Sequence, residues 1–259
     1  MNLILFQPDE FDGATRLATL SPRDPRAIHV QKVLHLVPGQ FLRAGLLDGP
    51  SGTATLLPSP SGASNVHPLQ FQCSFDTPIA PLPRIDLLLA LPRPKVFHRL
   101  LEDLAALSFG TLWAFPAQKT RSAYAPSHHF DAESIRDALL SGLQQSRRTR
   151  LPAVQFLPTL DLSALPLPTY ALRLLAHPMS APTHGVFHAL PHLPAAGRIL
   201  VAIGPEPGWT GNELRRLLAR HFIPLSLGPT PLRTPTASIA LLSALHLGLA
   251  AKPEGFQKF

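Results

Sequence analysis

Two textures of apolar and polar positions divide the chain. Up to about residue 78, short apolar pieces are cut by turn-forming pairs: Asp12-Gly13, Pro38-Gly39, Asp48-Gly49 and Ser61-Gly62. Phe41 to Leu47, Thr53 to Leu57 and Leu69 to Phe75 read as strands between such turns. Pro25 to Leu36 reads as a helix, with His29, Val33 and Leu36 at helical spacing. This spacing of strands and turns predicts a small β-rich domain of barrel type over residues 1–78. From Ile85 onward, strand-like and helix-like stretches alternate. Ile85 to Leu91, Thr111 to Phe115, Ala153 to Leu157, Tyr170 to Ala176, Arg198 to Ile203 and Ile223 to Leu227 read as strands. Lys95 to Ser108 reads as a helix with Val96, Leu100, Leu104 and Leu107 on one face and Pro94 at its start. Asp131 caps a second helix, to Gln145, striped by Ile135, Leu139 and Leu143. Gly211 to His221 follows a Thr210-to-Glu213 capping box, and a last helix spans Pro235 to Ala250. Alternation of this kind predicts an α/β domain over residues 79–259 with a mostly parallel sheet. The proline-rich stretch from Pro78 to Arg84 is the expected linker.

Composition narrows the class. Hydrophobic residues make up 45% of the 259 positions and charged residues 15%, so wholesale disorder is excluded. No apolar run approaches the roughly 20 residues of a membrane helix. The first residues lack the basic and apolar regions of a signal peptide, and the lone Cys73 excludes an internal disulfide framework. A cytoplasmic location is expected. Net charge is +7, and it is carried mostly by arginine, the better fork for phosphates. Between Ala138 and Pro205, Arg147, Arg148, Arg150, Arg173 and Arg198 face one acid, Asp161. A nucleic-acid partner follows from that imbalance.

Candidate chemistry concentrates in two loops. Arg198 to Ile203 is a buried strand that runs into Gly204-Pro205-Glu206-Pro207-Gly208-Trp209 and then a capped helix. Ligands of open α/β sheets bind beyond the carboxyl ends of the strands, and Gly204 and Gly208 allow close approach. Leu225 to Ala237 repeats the grammar, with Thr234 as the expected cap, Pro235 at the first helical position and Arg233 just before it. A cation is disfavoured there by the helix dipole, so Arg233 is expected to meet an anion. No Gly-x-Gly-x-x-Gly, Walker A or Gly-x-Ser-x-Gly motif is present. His184, His188 and His192 recur every four residues, but Pro182, Gly185 and Pro191 argue against a helix and no acid or cysteine completes a ligand set, so no metal is expected. His128-His129 reads as a loop pair.

At these loops the chain resembles the SPOUT methyltransferases, and within them the RsmE-like family that methylates N3 of a uridine in small-subunit (16S) ribosomal RNA. Ile203-Gly204-Pro205-Glu206-Pro207-Gly208-Trp209 is similar to that family's Ile-Gly-Pro-Glu-Gly-Gly motif, with Pro207 in place of a glycine. Leu227-Gly228 followed by Pro231-Leu232-Arg233-Thr234-Pro235-Thr236-Ala237 is similar to its third motif, with Pro235 in place of a glutamate. His29 to His35 followed by Pro38-Gly39, Gln144-Gln145-Ser146-Arg147 with Pro152, and His177-Pro178 after a strand match other family marks; His35 stands where the family has arginine. The resemblance implies a PUA-like β-barrel, then an α/β domain with a C-terminal trefoil knot, a homodimer, and S-adenosylmethionine as cofactor. It implies cofactor contacts from Ala176, His177, Ile203, Gly204, Pro205, Gly208, Leu227, Gly228, Leu232 and Thr234, most of them through the backbone. Arg233 and Glu206 are the expected catalytic residues: a cation that meets the negative charge spreading over the base or holds the nucleotide phosphate, and a carboxylate to order the loop or accept a hydrogen bond; no residue is assigned as general base. Lys32, His35, Arg147, Arg148 and Arg150 are the expected RNA contacts, with ribosomal RNA or the small ribosomal subunit as partner. The alternative is a non-catalytic RNA-binding protein on the same scaffold.

Overall fold

The computed structural model describes residues 2–58, 67–120, 130–178 and 185–251. The Ser61-Gly62 turn and His128, His129 and His184 lie outside the described residues. The chain divides into two compact units, Met1–Pro81 with Leu140–Leu151, and Leu82–Leu139 with Pro152–Phe259.

The first unit is built on a curled six-stranded sheet. Its strands are β1 (Ile4–Phe6), β2 (Phe11–Asp12), β3 (Leu17–Leu20), β4 (Phe41–Leu46), β5 (Ser51–Leu56) and β6 (Leu69–Thr77). They lie in the order β1-β4-β5-β6-β3-β2, with β1 parallel to β4 and the other pairs antiparallel. Strand β6 shows the two-residue period plainly: Leu69, Phe71 and Cys73 are buried, while Gln70, Gln72 and Ser74 are exposed. Ile4, Phe6, Ala18, Leu20, Ala44, Ala54 and Leu56 fill the same core. Burial pushes the Cys73 thiol up to about 11, which keeps it protonated and unreactive near neutral pH.

Helix α1 (Pro25–Lys32) is shorter than its sequence suggests. The N–H groups of Val33 and Leu34 both converge on the His29 carbonyl, and His35 turns left-handed at φ +49. The buried face is therefore Ala27 and Val30, and the expected stripe through Val33 is corrected: that side chain is 60% exposed. At the other end Asp24 caps the helix by accepting from Arg26 N, at 2.7 Å. The Arg26 guanidinium in turn bridges Asp24 and Glu10.

The second unit carries six parallel strands in the order β12-β10-β11-β7-β8-β9. These are β7 (Ile85–Ala90), β8 (Thr111–Phe115), β9 (Ala153–Phe156), β10 (Tyr170–Ala176), β11 (Arg198–Ile203) and β12 (Ile223–Leu225). Every residue of β7 is buried, as are Ile199 to Ile203 of β11. A strand covered on both faces reads as such a continuous apolar run. The helices are α2 (Pro94–Leu107), α3 (Ala132–Ser146), the short α4 (Val186–Ala189), α5 (Gly211–Leu218) and α6 (Thr234–Ala250). In α2 the buried face is Phe97, Leu100, Leu101, Leu104 and Ala105, rotated from the expected Val96–Leu107 stripe by Phe97, its largest apolar side chain. Asp131 caps α3 by accepting from Ser134 N at 2.7 Å. Residues of α3 from Leu140 belong to the first unit, where Leu143 packs with Leu3, Leu5 and Leu47. The segment beyond continues there. Thr149 donates to the Gly49 carbonyl at 2.7 Å, and Leu151 N donates to Asp48 Oδ1 at 2.8 Å.

One buried polar network sits at the amino ends of four neighbouring strands, β10, β11, β7 and β8. Asp86 of β7 is 1% exposed. It accepts from both Nε and Nη2 of Arg198, from the Tyr170 hydroxyl at 2.8 Å and from Thr111 N at 2.6 Å. Burial, then the adjacent carboxylate, hold the Tyr170 phenol well above its ordinary range. Gly110 is glycine for this reason: a Cβ there would lie 2.4 Å from Arg198 Nη2 and 2.5 Å from Asp86 Oδ1.

Candidate active site

The carboxyl ends of β10, β11 and β12 meet around one cavity of about 300 Å³. Three loops form it. His177-Pro178 follows β10, Gly204 to Trp209 follows β11, and Ser226 to Leu232 follows β12; Thr234 and Ala237 of α6 close it. All ten residues expected at the cofactor (Ala176, His177, Ile203, Gly204, Pro205, Gly208, Leu227, Gly228, Leu232 and Thr234) line this cavity, and so does Glu206.

The loops are cross-braced, so the cavity has a fixed shape. Trp209 Nε1 donates to the Ala176 carbonyl at 3.1 Å, joining the β11 loop to the end of β10. Its ring stacks on Phe115, with centroids 6.1 Å apart. His177 N donates to the Leu225 carbonyl at 3.1 Å, and Gly208 N closes a reverse turn on the Pro205 carbonyl at 2.7 Å. Pro207 suits that turn because its carbonyl, not an N–H, is used: Lys119 Nζ donates to it at 3.1 Å and to the Trp209 carbonyl at 3.2 Å. The Thr210–Glu213 capping box is present at α5, and Glu213 also accepts from Gln118 N at 2.9 Å. Gly204 is glycine because a Cβ would lie 2.8 Å from the Trp209 ring.

Thr234 corrects the sequence expectation. Helix α6 starts at Thr234, and Arg233 occupies the N-cap position without any side-chain cap. The Thr234 hydroxyl donates to the Gly204 carbonyl at 3.0 Å, so it braces the site instead of capping the helix. Arg233 is exposed and is not one of the cavity's lining residues, although Leu232 and Thr234 on either side of it are. Glu206 is exposed, and among the described residues neither it nor Arg233 has an ion-pair partner.

The walls are mostly apolar, from Ile203, Trp209, Leu225, Leu227 and Leu232, with backbone groups between them. His177 Nδ1 is buried here with no hydrogen-bond partner among the described residues. A buried polar atom without a partner in an apolar cavity is suited to a ligand that carries its own polar groups.

The pattern that defines the RNA methyltransferase domain family matches residues 79–246, well over half of the chain. The chain belongs to the RNA methyltransferase family. The ribosomal RNA small subunit methyltransferase E of Treponema pallidum is similar over 247 residues, 28% identical, covering 93% of this chain and 88% of that protein. Two solved structures share the fold of this RNA methyltransferase. One is a Legionella pneumophila protein in complex with the cofactor SAM, with TM-score 0.71, 22% identity, and 95% and 97% of the two chains covered. The other is a ribosomal RNA small subunit methyltransferase E from Neisseria gonorrhoeae bound to S-adenosyl methionine, with TM-score 0.69, 20% identity, and 95% and 97% covered.

The five basic positions expected at RNA lie elsewhere in this RNA methyltransferase. Lys32, His35, Arg147, Arg148 and Arg150 all fall in the first unit. Lys32, His35, Arg147 and Arg148 are exposed, and Arg150 donates through Nε to the Ala80 carbonyl at 2.9 Å. His192 is exposed at the end of a single 3-10 turn. The side chain of His188 lies outside the described residues, and among those described no group of His, Cys, Asp and Glu is placed to hold a metal. Sequence reasoning missed Arg93 and Lys119. The signal was present: Arg93 follows a buried strand and precedes a proline-started helix, as Arg233 does.

Proposed function

We propose that the protein is an S-adenosylmethionine-dependent methyltransferase that acts on N3 of a uridine in small-subunit (16S) ribosomal RNA. One observation carries the reading. Ten residues from three strand ends, the loops that follow them and the start of α6, all expected from motif similarity, line a single braced cavity at the carboxyl edge of a parallel sheet. Its apolar walls suit an adenine ring, and its backbone groups and the partnerless His177 Nδ1 suit the polar edges of the cofactor. When bound, S-adenosylmethionine supplies an electrophilic methyl group on a sulfonium.

The chain's own residues then have two tasks. The uracil N3–H must be held and its proton drawn off; Glu206, at the cavity wall and without an ion-pair partner among the described residues, is a carboxylate in reach. Negative charge that spreads to the flanking base oxygens needs a cation, and Arg233 between Leu232 and Thr234 supplies it from the cavity rim. The curled first sheet reads as the PUA-like barrel, with Lys32, His35, Arg147, Arg148 and Arg150 on the RNA backbone. The second unit reads as the SPOUT domain with its trefoil knot. A homodimer fits α6, an apolar helix whose Leu247 is 71% exposed. A cytoplasmic location fits the substrate.

The test is transfer of labelled methyl from S-adenosylmethionine to small-subunit ribosomal RNA, followed by mapping of the modified base. Replacing Arg233 by Ala should cut turnover by about a hundredfold or more, the size of an electrostatic contribution to a transition state, with cofactor affinity retained. Wild-type turnover in that variant would remove Arg233 from the mechanism. Absence of cofactor binding by the unaltered protein would leave the non-catalytic RNA-binding alternative.

A further inference from the structure

The β11 loop has two sides. Toward β10 and β12, Pro205, Glu206 and Pro207 wall the cavity described above. Toward β7 and β8, the same three residues wall a second cavity of about 180 Å³, completed by Leu91, Pro92, Arg93, Lys119 and Thr120. Its floor is again the carboxyl edge of the sheet, where α/β folds place ligands.

The charges in this second cavity are not matched to one another. Lys119 spends two donors on the Pro207 and Trp209 carbonyls, and an ammonium has three. Arg93 is exposed, and its guanidinium has no hydrogen bond or ion pair among the described residues. Glu206 shares the cavity with both cations and pairs with neither. Among the described residues, then, one unpaired guanidinium and one ammonium with a single donor to spare stand beside an unpaired carboxylate, which suits a ligand that brings an anion and a neutral N–H donor together. A nucleotide is such a ligand.

We propose that this second cavity seats a phosphate of the RNA strand next to the base to be methylated. Arg93 binds the phosphate through its guanidinium fork, assisted by the remaining Lys119 proton. Glu206, on the wall common to both cavities, is then aimed at the base and not at the phosphate. Lys119 is also a positioning residue, because its two carbonyl contacts hold the β11 loop in place. The assignment of the anion to RNA rests on the methyltransferase reading.

The experiment uses the full chain and a small-subunit ribosomal RNA transcript. Binding is measured by filter retention between about 50 and 200 mM potassium chloride, for the unaltered protein, Arg93→Ala and Arg93→Lys. S-adenosylhomocysteine binding is followed in parallel by calorimetry. Loss of one phosphate contact predicts about tenfold weaker RNA binding for Arg93→Ala. The slope of log affinity against log salt should fall by about 0.7 to 0.9. Arg93→Lys should recover most of the slope, since it keeps the charge, and cofactor-analogue affinity should stay within about twofold. Unchanged RNA affinity and salt slope in Arg93→Ala overturn the proposal. So does an equal loss of RNA and analogue binding, which means the loop has collapsed, and so does an unaltered protein that binds no RNA. RNA binding with the predicted slope change but no analogue binding supports the phosphate site and removes the methyltransferase reading.

Discussion

Gly204→Ala tests whether the cavity's shape depends on one close contact. An added Cβ would lie 2.8 Å from both Cε2 and Nε1 of Trp209. The indole cannot simply retreat: it is 7% exposed, stacked on Phe115 and bonded to the Ala176 carbonyl. Overpacking of a core costs about 1–3 kcal/mol, and loss of the indole hydrogen bond adds about 1 kcal/mol. Alanine returns about 0.4–1 kcal/mol by restricting the unfolded chain. The net cost is then about 2.5 kcal/mol, using those same contributions. For a unit of this size that lowers Tm by about 5–10 °C, read by calorimetry on the second unit's transition. S-adenosylhomocysteine affinity should fall at least about tenfold, because the three loops are braced through this ring. The decisive arm is the double variant with Trp209→Ala. In that background the added methyl has room, so Gly204→Ala should cost almost nothing, a coupling of about 2–3 kcal/mol. An equal cost of Gly204→Ala with and without the indole would refute the reasoning.

Two further outcomes follow from buried charge. Asp86→Ala strips the acceptor from Arg198, Tyr170 and Thr111 at once; breaking a buried pair costs about 3–5 kcal/mol, and a urea-measured loss under about 1 kcal/mol would contradict it. Burial disfavours the charged form of Asp24, but hydrogen bonds from the Arg26 side chain and backbone outweigh this and hold the carboxyl below 3.8. A depressed carboxylate stabilises the fold above its unfolded pKa, and that stability is lost as pH falls through the folded value. Asp24→Asn should therefore cost stability at pH 7 and progressively less as pH falls below about 4; the same deficit at pH 7 and pH 2.5 would show that the charge is not the cause.

The parts of the fold that showed in the sequence are those with long or continuous apolar signals. β7 and Ile199 to Ile203 of β11 are buried on every side, so their runs are unmistakable, and the strand, glycine–proline loop and capped helix around Gly204 need no tertiary information to be read. Ile4–Phe6 and Phe11–Asp12 are too short to display a period. The end of α1 was hidden for a different reason. Val33 and Leu36 keep helical spacing, but the helix stops at Lys32 because Val33 and Leu34 share one carbonyl and His35 turns left-handed, a local competition invisible to periodicity. Thr234 departs from its sequence expectation for a related reason: a hydroxyl before Pro235 satisfies the rules for a cap, and the neighbouring Gly204 carbonyl redirects it.

Two helix starts break a local rule beside the loop where the chemistry is proposed. α1, α3 and α5 each start on a side chain that satisfies a backbone N–H, from Asp24, Asp131 and Thr210. α2 and α6 instead have arginine at the N-cap, Arg93 and Arg233, with no side-chain cap. Capping preference and the helix dipole both disfavour this choice. Each departure costs stability, and α1, α3 and α5 show that this chain can place a capping side chain at a helix start. Arg93 lines the cavity on one side of the Pro205–Pro207 loop, and the neighbours of Arg233 line the cavity on the other. Arginine at both N-caps, on either side of one loop, fits the proposed RNA substrate, whose phosphate and developing base charge each call for a cation.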